Sequence, residues 1–290
     1  MDAVYIILTA TLFSISCGLL GAFLLLRRMA LVGDAIAHAV LPGIVIAFLI
    51  SGSRESVWMI PGAASLGVLT TFLIEFFHRR AGLQTDAAIG VTFTALFAVG
   101  IILISVFAGQ IDLDQDCVLY GEIAYVPLDV WMTASGEVIG PKALFIALGL
   151  LVLNVLFVVL GYRQLLVSTF DPAFAAASGI SVVLWNYLLM GAVSFTTVAA
   201  FNSVGAILVV ALLVVPPATA YLLTHSLKRM LGLTVLFAFL SSACGYVLAV
   251  ALDGSIAGAI VTCAGGLFVL VWVTQLLLRR KPAKELHPLT

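Results

Sequence analysis

Nine apolar runs, each about as long as a membrane-spanning helix, set the strongest limit on the fold of this chain. A helix needs about 20 apolar residues to cross a bilayer, and only helices and closed barrels pair all their backbone polar groups there. With 63% hydrophobic and 9% charged residues, the chain is too apolar for an ordinary soluble domain. The sequence therefore predicts one all-α, polytopic membrane domain over residues 1–290. Its spans are predicted at residues 4–26, 33–51, 57–77, 87–108, 143–161, 182–201, 203–224, 231–252 and 255–278.

The distribution of lysine and arginine predicts the orientation of these spans. If the N-terminus lies outside, the inner ends carry 11 of the 13 basic residues, and only Arg54 and Lys142 face outward. Basic residues concentrate on the cytoplasmic side of membrane proteins. We therefore expect a multi-pass protein of the cytoplasmic (inner) membrane, surrounded by lipid, with residues 109–141 as an extracytoplasmic connection and residues 279–290 as a short cytoplasmic tail. The basic residues form no patch, which argues against a nucleic-acid partner.

The second run contains two ionisable side chains, Asp34 and His38. An acid at membrane depth costs about 2.5–3.5 kcal/mol, so such residues are usually functional. Residues four apart lie on one face of a helix, and Pro42 removes the N–H that would bond the carbonyl of His38. A carboxylate, an imidazole and a free carbonyl on one stripe would form half of a divalent-cation site. The alternative is an aspartate that caps its own helix and a histidine packed between helices.

A short segment at residues 168–181, STFDPAFAAASGIS, lies between spans on the predicted inner side. Asp171 is a good N-cap, Pro172 is a good first helical residue, and Gly179 is a good stop. These signals predict a cytoplasmic helix of about two turns. Because its residues are small and apolar, the helix needs a protein groove to cover it. An amphipathic connector at the membrane interface is the alternative.

Two prolines, Pro216 and Pro217, lie inside the span at residues 203–224. They free the backbone carbonyls of residues 212 and 213. Such a break is tolerated at membrane depth only where protein or a water-filled cavity covers the loose backbone. We therefore expect this span to pack centrally, beside the second one, with the prolines marking a pathway or a helix break. A plain proline kink in the bundle is the alternative.

The motifs of several enzyme classes are absent from the sequence. There is no GxxxxGK[ST] nucleotide-binding loop, no HExxH zinc motif and no GxSxG nucleophile motif. The spans also carry too few titratable groups for a proton-driven pump. These absences favour a transporter subunit without a nucleotide site of its own, powered by a separate ATPase. A stand-alone proton-coupled or facilitative metal carrier and an intramembrane enzyme that uses Asp34 and His38 are the competing hypotheses.

Three stretches resemble the permease subunits of bacterial zinc, manganese and iron ABC importers: LLRRMALVGDAIAHAVLPG, FDPAFAAASGI and VGAILVVALLVVPPATAYLL. The resemblance runs over nearly the whole chain. It implies an assembly of two permeases, either two copies of this chain or this chain and a paralogue, with two cytoplasmic ATPase subunits. It also implies an extracytoplasmic metal-binding protein that delivers the ion.

The resemblance assigns roles to individual residues. Asp34 and His38 would be the pathway ligands for a transported Mn²⁺, Zn²⁺ or Fe²⁺, with no permanently bound cofactor. Residues 171–179, including Phe174 and Ala175, would be the coupling helix that enters a groove of the ATPase. Two permeases facing each other would offer two carboxylates and two imidazoles, a set that suits all three ions.

Overall fold

The structure is a computed structural model that describes residues 2–39, 41–51, 59–107, 123–132 and 138–279. Its helices, numbered in chain order, are α1 (Asp2–Leu26), α2 (Val32–Ala39), α3 (Leu41–Ser51), α4 (Met59–Arg80), α5 (Thr85–Phe107), α6 (Lys142–Leu160), α7 (Tyr162–Phe170), α8 (Pro172–Ala177), α9 (Val182–Val204), α10 (Ala206–Leu223), α11 (Leu227–Leu252) and α12 (Ile256–Arg279).

The helices confirm the prediction of an all-α, polytopic membrane protein. Among the described residues, eight stretches are long and apolar enough to cross a membrane, and α2 and α3 together form one of them. The remaining predicted span, at residues 57–77, is α4, which is 22 residues long and ends in His78, Arg79 and Arg80. The count of nine crossings and the side on which each terminus lies stay predictions.

The centre of the bundle is the contact between α1 and α10. Pro216 and Pro217 lie inside α10 without interrupting it, and both are buried. The carbonyl oxygen of Leu213, one of the two that the prolines free, lies 1.8 Å from where a Cβ on Gly21 would be. Glycine therefore lets the α1 backbone cover this loose carbonyl, as close helix packing in membranes requires. This explains physically why α10 packs centrally.

Leu213 also fixes the position of α2. A Cβ on Gly33 would lie 2.7 Å from Cδ1 of Leu213, so α2 rests directly on that side chain. Gly33 precedes Asp34, and Val32, Ala35 and Ile36 on the same short helix are buried. One residue of α10 therefore holds both α1 and α2 in place.

The second predicted span comprises α2 and α3, which together cover Val32–Ile50. Residue 40, between them, lies outside the described residues, and Pro42 is the second residue of α3. The ring and backbone nitrogen of Pro42 pack against α5, where a Cβ on Gly100 would lie 3.1 Å from that nitrogen.

The region predicted as an extracytoplasmic connection contains an element that the sequence did not suggest. Strands β1 (Val130–Met132) and β2 (Val138–Pro141) pair as an antiparallel hairpin. Ahead of them lies a 3₁₀ turn at Ile123–Tyr125. The rest of the connection, at residues 109–122 and 133–137, and the predicted tail beyond Arg279 lie outside the described residues.

A further helix, α7, was also not predicted. The span at residues 143–161 ends at Leu160, and Gly161 separates α6 from α7. Residues 168–170 of the segment predicted at 168–181 therefore belong to α7, and only the part after Asp171 forms the separate short helix α8. α7 thus directs the chain from the bundle into α8.

The contact between α1 and α10 can be tested with a single methyl group. We expect Gly21→Ala to lower the free energy of unfolding by about 1–3 kcal/mol, because the new Cβ meets backbone that cannot change rotamer. Thermal unfolding in detergent measures this loss. Gly149→Ala on α6, where nothing lies within 4 Å, is the matched control and should not destabilise the protein. Equal melting temperatures for the two variants would contradict the contact.

Candidate functional site

Asp34 and His38 lie together on one face of α2. Nε2 of His38 is 3.4 Å from Oδ1 of Asp34. Two ligand atoms that are each about 2.1 Å from a tetrahedral ion are about 3.4 Å apart. The distance between the two atoms therefore matches the spacing of two ligands on one tetrahedral ion. The structure confirms that the two residues predicted as ligands share one stripe.

Two phenylalanines hold the imidazole of His38 in this position. The ring of Phe93 lies 5.6 Å from the His38 ring, centroid to centroid, and the ring of Phe97 lies 5.7 Å away, edge-on. Both belong to α5, one turn apart. Sequence reasoning did not find them, because only the packing of α5 against α2 brings them to the histidine.

This pair of ligands is incomplete and only partly covered. Within the described residues, no group of three or more His, Cys, Asp or Glu side chains could hold a metal ion. The Asp34 side chain is 43% exposed and that of His38 is 31% exposed. An acid at membrane depth faces a protein partner or a water-filled cavity, not lipid. Any further ligand of these types would come from residues outside the described part of the chain or from a partner.

The short helix α8 has the boundaries that the sequence predicts. Oδ1 of Asp171 accepts a hydrogen bond of 2.9 Å from the backbone N–H of Phe174, and Pro172 begins the helix. Gly179 adopts a left-handed φ of 79°, and the N–H of Ile180 donates to the carbonyl of Ala175 at 2.9 Å. The helix is therefore closed at both ends by its own residues.

The exposed side of α8 differs from what the sequence implied. Phe174 is 59% exposed, whereas Ala175 is fully buried against this chain. A bulky residue at position 175 would therefore disturb the packing of α8 on its own bundle. The exposed surface of α8 consists of every residue of the helix except Ala175, namely Pro172, Ala173, Phe174, Ala176 and Ala177.

A cavity lies between the start of α8 and the turn that leads to α2. It has a volume of about 410 Å³ and lies where α1 passes into α2. Arg27 and Met29 line it from that turn, Pro172 lines it from α8, and Glu75 and Asn186 line it from α4 and α9. Among the predicted site residues, the structure thus brings Asp34 and His38 together and places Pro172 at the other end of the same turn.

Comparison with known proteins assigns the family. The model of the ABC 3 transport family matches residues 3–275. The chain belongs to the ABC 3 transport family.

Relatives of this ABC 3 family member match over most of their length. The chain is 50% identical over 261 residues to the manganese transport system membrane protein MntD of Bacillus subtilis, covering 90% of this chain and 88% of the relative. It is 44% identical over 272 residues to the zinc transport system membrane protein TroD of Treponema pallidum, covering 92% and 72%. Among solved structures, PsaBC from Streptococcus pneumoniae in complex with Fab superposes with a TM-score of 0.76 at 32% identity, covering 96% of this chain and 94% of that one.

Family membership agrees with the resemblance inferred from the three sequence stretches. Together with the eight apolar stretches of the described residues, it identifies a multi-pass protein of the cytoplasmic membrane. In this ABC 3 family member, the roles of Asp34, His38, Pro42, Pro216 and Pro217 remain predictions, because no comparison assigns them.

The cap of α8 can be tested directly. We expect Asp171→Ala to cost about 1 kcal/mol of local stability, which makes the amide of Phe174 exchange its hydrogen about fivefold faster. Hydrogen–deuterium exchange of the peptide that covers α8 measures this change. Asp171→Ser keeps a capping oxygen and should exchange nearly as slowly as the wild type. Equal exchange in both variants would show that the side-chain oxygen does not hold the helix.

Proposed function

We propose that this chain is the permease subunit of an ABC importer that carries a divalent transition metal, Mn²⁺, Zn²⁺ or Fe²⁺, across the cytoplasmic membrane. The observation that carries the proposal is the Asp34–His38 pair, whose two ligand atoms are spaced for a single ion. The names of the relatives support it, since MntD is a manganese transport protein and TroD a zinc transport protein.

The ligand chemistry suits an ion that is bound and then released. One carboxylate and one imidazole per chain give two oxygens and two nitrogens when two permeases face each other, a set that accepts all three ions. No thiolate takes part, because no cysteine is among the predicted ligands. Transport requires binding that is strong enough for entry and weak enough for exit.

The half-covered site supports a second permease as partner. Asp34 and His38 are partly exposed at membrane depth, and a second copy of this chain or a paralogue with the same pair would cover them and complete the ligand set. An extracytoplasmic metal-binding protein would deliver the ion. A separate cytoplasmic ABC ATPase would supply the energy, because the sequence contains no nucleotide-binding loop.

The short helix α8 is the proposed coupling helix. Asp171, Pro172 and Gly179 set its ends, Phe174 projects from it, and Ala175 anchors it to the bundle. An exposed phenylalanine on a rigid, capped helix is suited to insertion into a hydrophobic groove. We therefore place Phe174 at the centre of the contact with the ATPase.

The metal site is tested by removing one ligand at a time. We expect Asp34→Asn and His38→Ala to reduce uptake of Mn²⁺ and Zn²⁺ below about one tenth of the wild type, since a tenfold loss needs only about 1.4 kcal/mol. The complex should still assemble and hydrolyse ATP. Uptake by cells that express the complete transporter measures the effect.

Two exposed residues outside the site are controls for the same chemical changes. Asp86→Asn and His225→Ala should transport normally. Wild-type uptake by both Asp34→Asn and His38→Ala would remove the proposed site. Uptake that persists when the ATPase subunit is absent would instead favour a stand-alone carrier.

The coupling contact is tested at Phe174. We expect Phe174→Ala to weaken association with the ATPase at least tenfold, because burial of a phenylalanine side chain contributes about 1.5–3 kcal/mol. Co-purification of the ATPase with the tagged permease measures this loss. Phe239→Ala is the matched control, since Phe239 is 50% exposed but lies in the middle of α11. Full association of the Phe174 variant would place the contact elsewhere.

A further inference from the structure

The guanidinium of Arg27 makes three hydrogen bonds at the end of α1. Its Nε donates to Oγ1 of Thr169 at 3.0 Å, and Nη2 donates to Oγ of Ser168 at 2.9 Å, both at the end of α7. Nη1 donates to Oδ1 of Asn186 on α9, also at 2.9 Å. Three acceptors in three directions match the planar fork of arginine and not the single ammonium group of lysine.

Asn186 extends this hydrogen-bond network to α4. Its Nδ2 donates to Oε2 of Glu75 at 3.0 Å, and the other carboxylate oxygen of Glu75 pairs with Arg79. Glu75 is only 7% exposed. Burial lowers the pKa of Arg27 to about 10, while the charge of Glu75 opposes this shift, so the guanidinium stays charged at neutral pH. We call Arg27, Asn186 and Glu75 the inner junction.

The backbone around Arg27 is fixed as well. Arg28 adopts a left-handed φ of 59° and closes α1: its N–H donates to the carbonyl of Leu25 at 3.0 Å, and that of Met29 donates to Leu24 at 2.9 Å. This is the Schellman ending, in which the last carbonyls of a helix are satisfied by the turn that follows. α2, with Asp34, starts directly after this turn.

The acceptors of Arg27 lie next to the coupling helix. Thr169 is two residues before Asp171, which caps α8. α7 joins α6 only through Gly161, so its direction is not set by continuation of that helix. Arg27 instead ties α7 to α1 and to the turn that leads to α2. Glu75 links this network, through Asn186, to α4, which packs against both α2 and α3.

We propose that the inner junction joins the coupling helix to the metal-carrying helix, so that a displacement of α8 by the ATPase moves Asp34 and His38. Arg27, Asn186 and Glu75 are positioning residues in this step and do not contact the ion. The inference rests on the proposed function. Its physical basis is the direction of the hydrogen bonds. Apolar contacts allow helices to slide, whereas the partly buried charge of Arg27 disfavours any arrangement that leaves it without its acceptors.

The test is the number of ions moved per ATP hydrolysed. The complete complex of permeases and ATPase is reconstituted in vesicles, and Mn²⁺ uptake and ATP hydrolysis are measured in the same sample, with Zn²⁺ in parallel. We expect Arg27→Lys to keep the ATPase bound and hydrolysis within about twofold of the wild type, but to lower the ions moved per ATP about tenfold, a typical size for a coupling between two sites. A merely structural role for Arg27 would lower both rates together.

Three further variants sharpen the result. Arg28→Lys, the same change at the neighbouring exposed arginine, should leave the ratio of ions to ATP unchanged. Asn186→Ala should lower the ratio like Arg27→Lys, and the double variant should lose little more than either one, because residues in one network are not additive. Glu75→Gln removes the charge but keeps an acceptor for Asn186, so it should retain most of the coupling.

The outcomes separate the inference from the function on which it rests. A wild-type ratio in Arg27→Lys and Asn186→Ala would overturn the inner junction while leaving the metal site intact. Parallel loss of uptake and hydrolysis in both variants would also overturn the inner junction. If Arg27→Lys fails to assemble, the ratio of ions to ATP in Asn186→Ala alone tests the junction. If the wild-type complex moves neither ion and Asp34→Asn changes nothing, the proposed function fails instead.

Discussion

The fold depends on covering two backbone carbonyls that have no partner inside their own helix. Pro216 and Pro217 create them within α10, and an unpaired carbonyl in hydrocarbon costs several kcal/mol. Gly21 reduces this cost, because it lets the backbone of α1 pack against the carbonyl of Leu213. The side chain of the same leucine supports α2 at Gly33. The contact between Leu213 and Gly33 therefore helps to set the position of α2, the helix that carries Asp34 and His38.

The Asp34–His38 pair shows how a membrane protein can keep an acid at depth without burying it. The apolar residues of α2 are buried in the bundle, and the two polar side chains lie on a partly open face, beside Phe93 and Phe97. The aromatic rings limit the positions of the imidazole but supply no ligand. In the proposed metal site, the two side chains are ordered before an ion arrives, and a second permease completes the ligand set.

The membrane end near α8 is organised by a different kind of contact. There side chains of α7 and α9 accept hydrogen bonds from Arg27, Glu75 of α4 joins through Asn186, and the hydrogen bonds have fixed directions. α8 itself is closed by its own cap and anchored by Ala175, so it can act as a rigid piece. The proposed transport mechanism needs a stiff connection between α8 and α2, and contacts with fixed directions provide stiffness that apolar packing does not.

The sequence by itself determined the features that depend on neighbouring residues: the approximate positions of the long helices, the cap at Asp171, the stop at Gly179 and the stacking of Asp34 with His38. It missed α7 and the hairpin, because short elements lack a long apolar run or a strong periodic pattern. Only the tertiary structure decided that Ala175 points inward, that Phe93 and Phe97 flank His38, and that Arg27 reaches residues 168 and 169. These contacts join residues far apart in the chain, and in a uniformly apolar sequence local spacing does not specify which helix faces meet; the close approach of backbones and the satisfaction of buried polar groups decide it.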